Sequence, residues 1–220
     1  LQNIPASAGV NIVAFVDRLE YPGTELWEIE GSSAQIVETF PEMNFGDGAT
    51  LQWVINQTAV RYPSEHLLVD LWDHGSAWNG FCGDDTSDDW MYLDELRAAI
   101  EGAGAYIDIL SCDACSMASI ETAYTLSETG LVDILVASVE TVAGDGFPYD
   151  FMFTPLALDP SRTPDQVAGD MIAGWAQYYD PRNECYYATL SAISIGALSQ
   201  AMGTIDAWCD EVHANLAAYY

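Results

Sequence analysis

Two short polar signatures each close an apolar run. The run Leu67 to Trp72 ends in Asp73, His74 and Gly75. The run Tyr106 to Cys112 ends in Asp113, Ala114 and Cys115. Runs of this length and apolarity read as strands covered on both faces, as in a parallel sheet. Open parallel sheets place their chemistry where strands give way to loops. One sheet edge would then present an imidazole and a thiol together, the pairing needed for a cysteine nucleophile with a histidine partner.

Each residue also has a plainer reading. Cys115 falls between a strand and an expected helix at 116–128, whose first amides would favour a thiolate. A buried, inert thiol is the commoner fate of a free cysteine. Cys112 and Cys115 also form a C-x-x-C. A redox pair would have its first cysteine leading a helix, whereas Cys112 still sits in the strand. A zinc site would need two further ligands, and no second C-x-x-C or His pair is present. His74 precedes a glycine, which permits a sharp turn and close approach of a substrate. His66 and His213 read as ordinary satisfied side chains, and Asp73 as a cap on the turn. Asp113 would repel a neighbouring thiolate. It shares a strand face with Cys115, however, and a buried acid suits a cationic side chain.

The elements that must position these groups follow in order. Val10–Val16 reads as a buried strand, and 25–30 as a short strand or a turn. Ala49–Val60 reads as a helix stopped before Pro63. Strand 67–72, a polar loop at 76–91, a helix at 93–102 and the Cys115 strand come next. Leu131–Ser138 is another buried strand. Thr163-Pro164 opens a helix to Tyr179, with Pro in the first turn. A late strand at 186–194 and a helix at 198–218 complete the chain. Tandem strand–helix units with short links predict right-handed crossovers in an α/β fold with a parallel sheet. The 220 residues are expected to form a single domain spanning 1–220.

Composition narrows the function. There are 34 acidic residues, five Arg and no Lys, giving a net charge of −29. Such a chain lacks the basic patches needed for nucleic acid or an anionic membrane. It attracts cationic partners. Adaptation to high salt and an acidic milieu both fit this balance. No apolar run reaches the roughly 18 residues that span a bilayer. The five cysteines, Cys82, Cys112, Cys115, Cys185 and Cys209, leave at least one thiol unpaired within the chain.

Taken in order, the motifs resemble the clostripain family of cysteine endopeptidases, in the caspase-like group with gingipains and legumains. The resemblance rests on Trp72-Asp73-His74-Gly75 and on Asp113-Ala114-Cys115-Ser116-Met117-Ala118 with Glu121. Asn44 to Asp47, Asp84-Asp85-Thr86, Leu93 to Leu96, Ala137 to Thr141 and Gly144 to Tyr149 support it. It covers nearly the whole chain.

The resemblance implies a three-layer α/β/α sandwich with a mostly parallel central sheet. It implies an extracellular or cell-surface endopeptidase that needs no cofactor for its chemistry. Cys115 would attack the scissile carbonyl, His74 would assist proton transfer, and the amides of Gly75 and Cys115 would hold the oxyanion. Asp113 would line a pocket for Arg or Lys before the cut, with Ser138 and Glu140 along the cleft. Calcium is a further expectation, with Asp84, Asp85, Asp88 and Asp89 as hard oxygen donors; a solvated acidic loop is the competing reading. The family's pattern begins one strand and one helix before Val10. Two expectations follow: those elements reside on a second chain released from the same precursor, or the sequence is a fragment of a longer chain; without them the sheet would have an open edge. Many relatives are cut after a basic residue between the His and Cys motifs. No Lys or Arg stands between Arg61 and Arg97, so a basic-specific enzyme could not cut itself there. A catalytically inactive module that binds cationic peptides through the acidic face is the alternative function.

Overall fold

The computed structural model describes residues 3–19, 21–180 and 188–216. A four-stranded sheet carries the site. It is built from β4 (Leu68–Trp72), β7 (Ile107–Asp113), β8 (Val132–Ala137) and β9 (Ser191–Ser194), in the order β4-β7-β8-β9. The first three strands run parallel, and β9 joins antiparallel. The apolar run at 107–112 is buried almost throughout, as expected of a central parallel strand.

Helices cover both faces. On one side lie α2 (Leu93–Ala103), α3 (Ile120–Thr129) and α6 (Leu198–Ala214), with α1 (Gly48–Arg61) packed on α2. Leu96, Ile100, Leu110, Leu126 and Leu135 join that core. On the other side α4 (Tyr149–Leu158) and α5 (Pro164–Tyr179) pack together. Met152, Val167, Met171 and Trp175 meet Ile109 and Val136 there. The result is the expected three-layer α/β/α sandwich. Local signals fix the helix ends. Asp47 caps α1, and Thr163 with Gln166 forms a capping box on α5. Gly104 and Gly130 end α2 and α3 in the left-handed region.

The first forty residues depart from expectation. β1 (Ile12–Arg18), β2 (Tyr21–Glu30) and β3 (Ser33–Phe40) form a separate antiparallel meander. β1 is half-buried and is not a buried strand of the main sheet. The meander is held to α1 by Trp53, whose ring meets Phe15 and Phe40 edge-on at 5.5 and 4.9 Å. The polar loop at 76–91 contains a short hairpin of β5 (Phe81–Asp84) and β6 (Asp89–Met91). β4 lies at one end of the main sheet, its other edge unpaired among the described residues.

Candidate active site

The C-terminal ends of β4 and β7 are register neighbours, with Trp72 opposite Asp113. The chain leaving β4 is tied back at once. Asp73 N–H donates to the Asp113 carbonyl at 3.4 Å, and the Asp73 carboxylate accepts Gly83 N–H at 2.6 Å. His74 is exposed, its carbonyl accepts Cys82 N–H, and its ring lies 6.5 Å from that of Trp90. Asp73 is therefore the turn cap that the sequence suggests.

Gly75 brings the two signatures together. A Cβ added there would lie 2.9 Å from Cys115 N and nearer still to the Cys115 carbonyl oxygen. Only a glycine lets the histidine loop approach the cysteine turn so closely. Neither the Gly75 amide nor the Cys115 amide donates to another described group. Among the described residues the Cys115 thiol has Val142 N–H, not the His74 ring, as its hydrogen-bond partner; catalytic pairs are often loose before substrate tightens them.

Cys115 does not lead a helix. α3 begins at Ile120 with Ser119 as its cap, so helix amides are not what would support a thiolate. A short connection separates the two instead. Ser116 holds a left-handed backbone (φ +62°), a sparsely populated conformation for a residue with a side chain. The turn is clamped by Ser116 N–H donating to the Glu140 carbonyl and Ala118 N–H to the Ser138 carbonyl, both at 2.9 Å. Val142 N–H points at Cys115 Sγ, 3.3 Å away. Ser138 is fully buried, and its hydroxyl meets Thr189 Oγ1 and Glu140 N–H. Ser138 and Glu140 thus reach the cysteine through their backbones. Cys112 is fully buried in the core, and burial pushes its thiol well above the ordinary range. That environment suits neither redox exchange nor metal binding.

Asp113 is 3% exposed at the end of β7. Its Oδ2 accepts Phe147 N–H at 2.8 Å and lies 2.9 Å from the Tyr149 hydroxyl. Burial pushes its carboxyl up to about 6, against the Phe147 and Tyr149 hydrogen bonds. Gly146 permits this arrangement. It has φ +71°, and an added Cβ would lie 2.9 Å from Asp113 Oδ2. Its carbonyl accepts the Tyr179 hydroxyl at 2.6 Å, which ties the loop to α5. Asp113 lines a cleft of about 480 Å³ with Trp72, Asp145, Gly146, Tyr149 and Tyr178. Tyr149 and Asp70 are contributors that the motif reading missed. The available signal was a carboxylate standing inside the apolar run of β4.

The loop aspartates do not gather around one point. Asp85 and Asp88 are exposed, and Asp89 bonds Asn44 and the Trp90 amide. Asp84 is buried, accepts the Phe45 and Ser87 amides, and joins Asp17 and Glu42 in a group with ligand oxygens within 4.8 Å of one another. Burial and then charge repulsion raise both Asp17 and Glu42, and Asp17 Oδ1 is buried without a partner.

Similarity to known proteins agrees with this geometry. The chain is 26% identical over 251 residues to clostripain of Hathewaya histolytica, across 95% of this chain and 45% of that protein. It superposes on a secreted C11 cysteine protease of Bacteroides thetaiotaomicron, solved with an irreversible peptide inhibitor, with a TM-score of 0.72 and 23% identity. That match covers 86% of this chain and 57% of the other. An inactive zymogen C11 protease of Parabacteroides distasonis matches with a TM-score of 0.68 and 21% identity, over 86% and 53% of the two chains. The chain therefore spans about half the length of these relatives. No helix among the described residues is long and apolar enough to cross a membrane. The family model for clostripains matches residues 2–218, and with the ordered motifs and the shared fold this means that the chain belongs to the clostripain family.

Proposed function

We propose that the chain forms the catalytic part of a secreted cysteine endopeptidase that cuts after basic residues, Arg first and Lys second. Asp113 carries the specificity reading: it is a buried carboxylate beside the cysteine turn, with no basic partner among the described residues. A guanidinium entering the cleft would supply that partner. Cys115 passes its thiol proton to His74 and attacks the scissile carbonyl carbon. The uncommitted amides of Gly75 and Cys115 receive the oxyanion. His74 returns the proton to the leaving amine, and water then hydrolyses the thioester.

The test uses paired fluorogenic peptides with Arg or a neutral residue before the bond. Cys115→Ala should abolish hydrolysis of both. Asp113→Asn should raise KM for the Arg peptide about 30-fold or more, the loss of a buried charge pair, and spare the neutral one. Equal effects on both peptides would refute the pocket, and intact hydrolysis in Cys115→Ala would refute the nucleophile. In an inactive peptide-binding module, Cys115 would resist a substrate-like thiol probe.

Two accessory proposals follow from the family. Calcium, which forms no part of the bond-making steps, would bind Asp84 with Asp17 and Glu42, whose hard oxygens and buried, unpartnered Oδ1 fit it. Added calcium should raise the melting temperature, and Asp84→Asn should remove the rise; no rise with wild type would refute the site. The open edge of β4 would take a strand from a second chain of the same precursor. β4 is only half-buried despite its apolar sequence, which supports an added neighbour.

A further inference from the structure

The mechanism above uses Asp113 but not the two groups behind it. Tyr149 Oη lies 2.7 Å from Asp70 Oδ2 and 2.9 Å from Asp113 Oδ2. A phenol has one proton, so it donates to one of these oxygens. The other contact is too short for two facing lone pairs, unless that carboxyl carries a proton and donates to Oη. The three groups therefore hold two protons and one negative charge.

The surroundings decide where the charge sits. Asp113 accepts the Phe147 amide and borders the cleft. Asp70 is partly exposed as a residue on the open edge of the sheet, but its Oδ1 is buried and unpartnered. Its register partner Ser111 offers only a loose contact, and the Ser111 hydroxyl is itself buried without a full hydrogen bond. Burial dominates and favours the neutral acid at Asp70. The groups facing the chain are acids and thiols. Cys112 on β7 and Cys82 on β5 face Asp70, which helps to raise both thiols, while Asp145, Asp150 and Tyr178 border the cleft near Asp113. Every described arginine is paired with a carboxylate elsewhere.

We propose that Asp70 is the proton-holding end of an Asp70–Tyr149–Asp113 chain that keeps Asp113 ionised for a basic substrate side chain. Asp70 and Tyr149 are positioning residues: Asp70 donates to Tyr149, and Tyr149 donates to Asp113. The inference rests on the proposed pocket and names what sets its charge.

Two measurements test it. The first is the pH dependence of KM and kcat for the Arg peptide. In wild type, KM should rise as pH falls through Asp113's titration, with kcat little changed. Tyr149→Phe removes the donor to the ionised form and should move that inflection up by about one pH unit, a tenfold higher KM on the acid side. Asp70→Asn keeps a donor toward Tyr149 without an ionisable group, so its inflection should stay close to that of wild type. An unmoved inflection in Tyr149→Phe overturns the proposal. So does a fall of about one unit or more in Asp70→Asn, because it would mean that Asp70 is charged and repels Asp113. The second measurement is infrared difference spectroscopy of wild type against Asp70→Asn at pH 8. A protonated-carboxyl C=O band lost in the variant is expected, and its absence overturns the proposal without substrate. If Asp113→Asn affects Arg and neutral peptides equally while that band is present, the pocket reading fails and the proton on Asp70 stands.

Discussion

Gly75→Ala is the sharpest perturbation of the site. The added Cβ would sit 2.9 Å from Cys115 N, where ordinary contact begins near 3.4 Å, and the Cys115 carbonyl oxygen lies closer still. The partner atoms are backbone on both sides, so no rotamer change relieves the overlap. The histidine loop or the cysteine turn must move by about 0.5 Å or more. Misplacing reacting groups on the scale of 1 Å costs about 10²-fold in rate, and a disturbed oxyanion donor costs about 10²–10³-fold in kcat. We expect kcat/KM to fall by about 10²-fold or more for Arg and neutral peptides alike. The fold should persist, because Gly75 lies outside the strands of the main sheet. The assay pairs steady-state kinetics with a melting curve and with covalent labelling of Cys115. Activity within about threefold of wild type would refute the close approach. Loss of activity only through unfolding would refute its assignment to catalytic geometry.

Other outcomes follow from the same region. Asp113 titrates near 6 when folded and near 4 when unfolded, so the native state binds the extra proton. Its contribution to stability is present below about pH 4 and is lost as pH rises through about 6, a loss of about 3 kcal/mol. Asp113→Asn should therefore stabilise the protein in urea unfolding at pH 8 and much less at pH 4.5; an equal effect at both would contradict the raised carboxyl. Gly146→Ala forces a side chain into a left-handed backbone beside Asp113 Oδ2. It should cost about 1–2 kcal/mol and raise KM for Arg peptides selectively, which paired kinetics would check. A thiol reagent should label Cys115 in the folded protein and leave Cys112 and Cys82 untouched until unfolding. Labelling of Cys112 at the rate of Cys115 would refute its burial.

Much of this site is legible in the sequence because its chemistry stands where local patterns change. His74 and Cys115 follow apolar runs that can only be strands, and parallel pairing brings their ends together. The meander was harder to read. Glu25 is a carboxylate at a core position, tolerated because Arg18 and Trp27 both bond it, and that compensation is invisible along the chain. α4 escaped for another reason. Its run from Phe151 to Leu158 is apolar all round and contains Pro155, so no helical stripe marks it. Tyr149 meets Asp113 across 36 positions and Asp70 across 79, separations that no spacing rule reaches.

The scarcity of basic residues has a further consequence. Between Arg61 and Arg162 the only Lys or Arg is Arg97, and it lies within α2, gripped by Glu101 and Glu128. Arg18, Arg61 and Arg162 are likewise held by carboxylates. Under the proposed Arg specificity, a chain built this way is a poor substrate for copies of the enzyme. The whole stretch from His74 to Tyr149 offers them one bond, and reaching it means unwinding a helix. Durability in a crowded, self-digesting pool would then come from what the chain leaves out as much as from how tightly it packs.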